Sequence, residues 1–65
     1  MNLDTILKQI ENEIGHGFFE IGEVTNDYVT GYDMKKEWEF KVRLTPAKRV
    51  KKWSLTYPKY ALRNA

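Results

Sequence analysis

The stretch Glu37-Trp38-Glu39-Phe40-Lys41-Val42-Arg43-Leu44 alternates charged and apolar side chains without a break. Successive side chains of an extended strand point to opposite faces. The alternation therefore predicts a strand over about 36–44 with Trp38, Phe40, Val42 and Leu44 on a buried face. Glu37, Glu39, Lys41 and Arg43 then lie on a wet one, the signature of an antiparallel sheet with one solvated side. Thr45-Pro46 breaks the run, because proline has no N–H to give a ladder.

Upstream, Tyr28 to Asp33 is β-prone and predicts a strand over about 28–33. Thr25-Asn26-Asp27 before it is turn chemistry. Phe19 and Ile21 alternate with Glu20 and Gly22, which predicts a strand over about 18–24. The period then changes. Leu3, Ile6, Leu7, Ile10 and Ile14 follow i, i+3, i+4, i+7, i+11, one apolar stripe of an amphipathic helix over 2–14. Asn2 or Asp4 suits its cap, and Asp4, Lys8 and Glu11 share the opposite face. Gly15 suits the left-handed position that ends a helix, and Gly15-His16-Gly17 reads as a turn.

Downstream the signals conflict. Ala47, Val50 and Trp53 fit a short helix started by Thr45-Pro46, whereas Trp53, Leu55 and Tyr57 alternate like a strand that stops at Pro58. One turn followed by a strand over about 52–57, with a tail at 58–65, is the favoured reading. The pattern defines an α+β class in a single small domain over 1–65. An N-terminal amphipathic helix packs on a small antiparallel sheet of three to four strands, or on a small barrel.

The chain has 65 residues, 42% of them hydrophobic. A chain of this size buries only roughly 60% of its unfolded surface, so the core is thin and leans on aromatics or self-association. Cysteine is absent and histidine occurs once. These counts exclude disulfides and thiolate chemistry, give no metal site, and fit a reducing, cytoplasmic setting. The first residues carry Asp4, Glu11 and Glu13 and do not resemble a signal peptide. No apolar run has the length of a membrane span, so no membrane association is expected.

Catalytic patterns are also missing. Ser54 and His16 lie far apart in sequence, and nucleophilic catalysis needs a nucleophile, a base and an orienting group in contact. Glu37 and Glu39, with Glu20 alongside, read as solvated strand carboxylates and not as a general-acid pair. Gly15-x-Gly17 follows a helix and lacks a third glycine, so it is not a dinucleotide loop. No catalytic residue and no cofactor is expected, and the chain reads as a non-enzymatic binder.

Charge points to a partner. Residues 1–39 hold nine acids and three bases, net −6, whereas residues 40–65 hold eight bases and no acid, net +8. The basic part interleaves Lys41, Arg43, Lys48, Arg49, Lys51, Lys52, Lys59 and Arg63 with Trp53, Tyr57 and Tyr60. Cations neutralise phosphates while aromatics stack on bases, so this segment is the candidate nucleic-acid site, for DNA or RNA. Trp53 reads equally as a core residue. A second reading is a compact inhibitor or adaptor, of the kind phages and other mobile elements encode. It would dock on a host protein, either through the basic segment on an acidic surface or through a negative face built from Glu20, Glu23, Asp27, Asp33, Glu37 and Glu39. A third is a homodimer joined through Leu3, Ile6, Leu7 and Ile10 or through a free strand edge.

Overall fold

The computed structural model describes residues 2–58. Helix α1 spans Leu3–Ile14. Asn2 is extended, and its side chain accepts the Thr5 N–H at 3.3 Å, satisfying one of the donors a helix start leaves open. Gly15 closes the other end at φ 98°, a left-handed conformation, and gives its N–H to the Glu11 carbonyl at 2.8 Å.

Three strands follow as an antiparallel meander, β1 (Phe19–Val24), β2 (Tyr28–Asp33) and β3 (Trp38–Arg43), in the order β1-β2-β3. The Thr25 hydroxyl shapes the first turn by accepting the N–H groups of Asp27 and Tyr28. Register sets Val29 against Val42, Gly31 against Phe40 and Asp33 against Trp38, while Phe19 and Ile21 of β1 stand beside Asp33 and Gly31. Opposed residues share a face, so this one looks inward. Ile6 and Ile10 of α1 meet Val29, Phe40 and Val42 there in a fully buried core. Phe19 meets Phe40 edge to face, with ring centroids 5.8 Å apart. Glu20, Tyr32, Glu39, Thr30 and Lys41 occupy the other face. In β1 the register slips between Ile21 and Val24, a bulge on the sheet's open edge.

The α+β architecture and the three strands follow the alternation, with local corrections. Leu3 stays 45% exposed because the stripe's contact with the sheet begins at Ile6. Glu37 is not in β3; it ends the β2–β3 turn at φ 57°, its N–H bonded to the Asp33 carbonyl at 2.7 Å. Trp38 lies at the margin, half-buried and outside the core cluster, and its indole N–H donates to the Pro58 carbonyl at 2.7 Å. Residues 45–48 form a turn and no helix, closed by the Lys48 N–H on the Thr45 carbonyl. The strand expected over about 52–57 is absent; the segment makes isolated bridges and single hydrogen bonds, with Thr56 bridged to Lys41 of β3 and Val50 to Leu44 just beyond it, and forms no regular ladder. The sheet is open and no barrel closes. The expected tail falls mostly on 59–65, outside the described residues. Among the described residues, no helix is long and apolar enough to cross a membrane.

Gly31 is the tightest point of the core. A Cβ there would meet the Phe40 ring at 2.5 Å and press on the Glu20 carbonyl, whereas at Gly22 it would meet the Thr30 hydroxyl at 3.3 Å. Gly31→Ala should therefore lower unfolding stability by about 1–3 kcal/mol, the range of an overpacked core. Gly22→Ala should cost much less. Thermal denaturation of the two variants checks this ordering, and equal losses would refute it.

Candidate nucleic-acid interface

The basic segment runs antiparallel beside β3 but does not pair regularly with it. The N–H and C=O of Lys41 face Thr56, and both bonds form at 2.9 Å. Two residues along, the Arg43 carbonyl accepts the Lys51 N–H at 2.8 Å, while the Arg43 N–H is met by the Ser54 hydroxyl at 3.0 Å. A regular ladder would place one residue opposite Arg43; here the four residues 51–54 stand there. Ser54 closes this bulge by donating its hydroxyl to the Lys51 carbonyl at 2.6 Å. Lys52 and Trp53 are thereby pushed out of the ladder. Leu55 and Tyr57 resume the inward alternation and pack on the core, as does Val50 before the bulge.

Trp53 sits at the tip of this bulge. Its φ is 65° and its side chain is 92% exposed. The left-handed region costs a non-glycine residue about 1–2 kcal/mol, and an exposed indole recovers none of that through burial. The choice left open by the sequence thus falls against a core role for Trp53.

Arg43, Arg49, Lys51 and Lys52 are exposed around it, and none forms an ion pair among the described residues. Arg49, Lys51 and Lys52 line an open groove of about 460 Å³ against Gln9, Asn12 and Glu13 of α1, with Thr45 and Val50 at its floor. Gln9 fixes the groove by accepting the Val50 N–H at 2.8 Å.

Other residues of the expected site serve the fold. Lys41 lies over the Tyr28 ring, 4.3 Å from its centroid. The Tyr28 hydroxyl donates to Glu23, which raises the phenol's pKa. Lys48 donates to the Asn26 carbonyl at 3.2 Å. Tyr57 is half-buried, packs on the core and has the Lys36 ammonium over its ring, 5.4 Å from the centroid. Lys59, Tyr60 and Arg63 lie outside the described residues.

The anchor is one that sequence reading does not find. Asp33, grouped there with the solvated acids, is fully buried. Its Oδ2 accepts the Tyr57 hydroxyl at 2.8 Å, and its Oδ1 accepts the N–H groups of Lys35 and Lys36 at 2.9 and 3.1 Å. His16 Nε2 lies 3.1 Å from Oδ1, too far off line for a hydrogen bond, while His16 Nδ1 accepts the Phe18 N–H at 2.9 Å. Burial pushes the Asp33 carboxyl up. The Lys36 N–H, the Tyr57 hydroxyl, the Lys35 N–H and the nearby His16 outweigh it and hold the group below its ordinary range. Burial, then the bond to Asp33 and its charge, push the Tyr57 phenol up, so it remains a donor. Aspartate before a turn is the only local signal of this role; His16 and Tyr57 are too distant for any motif to join them.

Comparison with known protein families, with curated proteins and with solved structures finds no match.

Because the Asp33 carboxyl titrates below its ordinary 3.8 in the folded chain, its stabilisation is complete above that value. It is lost as pH falls through the lower folded value. The thermal midpoint should thus drop as pH falls below the ordinary carboxyl value, more steeply than in Asp33→Asn. At neutral pH Asp33→Asn and Tyr57→Phe should each lose about 1–3 kcal/mol, the range for hydrogen bonds to a charged group. Parallel acid profiles for the parent chain and Asp33→Asn would show that Asp33 is not the group responsible.

Proposed function

We propose that this chain is a small non-enzymatic nucleic-acid-binding protein whose contact surface is the 51–54 bulge with its flanking cations. The observation that carries the reading is Trp53, 92% exposed on a strained turn amid Arg43, Arg49, Lys51 and Lys52. An indole in that position adds little to the fold, while aromatics beside cations suit bases beside phosphates. A non-catalytic role draws support from the engagement of the two candidate catalytic side chains. The Ser54 hydroxyl is held by Lys51 and Arg43, and His16 Nδ1 by the Phe18 N–H. The same patch facing an acidic protein is the competing outcome. Self-association through the α1 stripe is disfavoured, since Ile6 and Ile10 are spent in the chain's own core.

Fluorescence anisotropy with labelled oligonucleotides, titrated across salt, tests the proposal. Affinity should fall steeply as salt rises, because bound cations release counterions from the phosphates. The double variant Lys51→Glu/Lys52→Glu should weaken binding at least tenfold while keeping its thermal midpoint within a few degrees, as both residues are exposed. Unchanged affinity in that variant would remove this patch from consideration. No binding at low salt, together with recovery of a protein partner after nuclease treatment, would favour the protein-docking role.

A further inference from the structure

The structure also bears on the form of nucleic acid, an inference that rests on the proposed function. We infer that the ligand is single-stranded, with one unpaired base stacked on Trp53 and its flanking phosphates held by Arg49, Lys51 and Lys52. Three observations lead there.

First, the element suited to a duplex groove carries the wrong charge. Groove readers usually insert an α-helix or a two-stranded ribbon. The exposed face of α1 carries Asp4 and Glu11 against the single cation Lys8, and Glu13 lies at the groove's side, so phosphates on both rims of a duplex would repel the helix. Second, the basic segment is neither a helix nor a ribbon. Its exposed cations Arg49, Lys51 and Lys52 fall within four residues and line one open groove, a cluster that matches a few phosphates on one strand. Third, Trp53 projects from the tip instead of lining a slot. A projecting indole needs the face of a base, and bases in a duplex already stack on each other, whereas those of a single strand are open.

The geometry sets numbers. The patch offers four exposed cations without an ion pair among the described residues, Arg43, Arg49, Lys51 and Lys52. At about −0.7 per phosphate for single strands, log affinity should fall with log salt at a slope no steeper than about −3. Stacking contributes about 1–3 kcal/mol per base, so Trp53→Ala should weaken binding about 5- to 150-fold. The salt slope should stay the same, since no charge is lost. Trp53→Phe should restore part of the affinity.

The test compares a labelled single-stranded oligonucleotide with the matching duplex on the same chain, followed by anisotropy and by indole fluorescence. The expected result is tighter binding of the single strand, quenching of the indole, and loss of the preference in Trp53→Ala at an unchanged thermal midpoint. Equal binding of both forms, or a Trp53→Ala variant that still prefers the single strand, would overturn the inference. The proposed function would nonetheless survive provided Lys51→Glu/Lys52→Glu still lost affinity. If neither form binds at low salt, both fall together.

Discussion

A buried carboxylate is tolerable only when its charge is answered by donors, and in this chain that requirement organises the molecule. Asp33 gathers N–H groups from its own turn and a hydroxyl from Tyr57, with the imidazole of His16 beside it but outside hydrogen-bond geometry. Those groups belong to the helix-to-β1 link, the β2–β3 turn and the C-terminal segment. Among the described residues the core holds five fully buried apolar side chains, a thin core for one helix and three strands. The carboxylate adds a constraint of its own, tying the β2–β3 turn and the C-terminal segment to one point. It also explains how a segment that fails to form a strand is held in place: Tyr57 pins it beyond the bulge, and Val50 and Gln9 pin it before.

Fixing both ends leaves the middle at liberty to serve something else. The bulge opposite Arg43 is closed by backbone and hydroxyl groups alone, so the identities of residues 52 and 53 are not dictated by packing. A strained tryptophan in such a place is a local choice that folding does not require, and strain of this kind clusters where chains meet ligands. In this chain the residues that stabilise the fold and the exposed residues of the bulge are nearly disjoint sets.

Much of the architecture is legible in the sequence because it rests on periodicity. The stripe Ile6, Ile10, Ile14 and the alternation Phe40, Val42 announce their faces unaided, and Gly15 and Thr25 mark their turns. The bulge is not legible, since it depends on which edge groups of Arg43 find a partner and on a serine hydroxyl standing in for a carbonyl. Trp53 therefore breaks an alternation that Leu55 and Tyr57 obey. Asp33 is hidden for a different reason. Its partners lie at residues 16 and 57, and a carboxylate on a strand gives no sign of whether water or a tyrosine will meet it. The basic cluster is visible as composition, but only the fold separates Lys41 and Lys48, which are engaged, from Lys51 and Lys52, which are not.

The slip in β1 between Ile21 and Val24 acquires a meaning beside the irregular segment on the opposite edge. Open ladders recruit other chains, and small sheets are exposed to that hazard. Here one edge is kinked and carries the exposed acids Glu20 and Glu23, and the other is covered at Lys41 and Arg43 by the C-terminal segment. Neither presents a flat row of vacant N–H and C=O groups on which fibrils could grow. The exposed indole on one flank and the open edge of β1 on the other are thus kept apart, each beside an irregularity that interrupts a regular ladder.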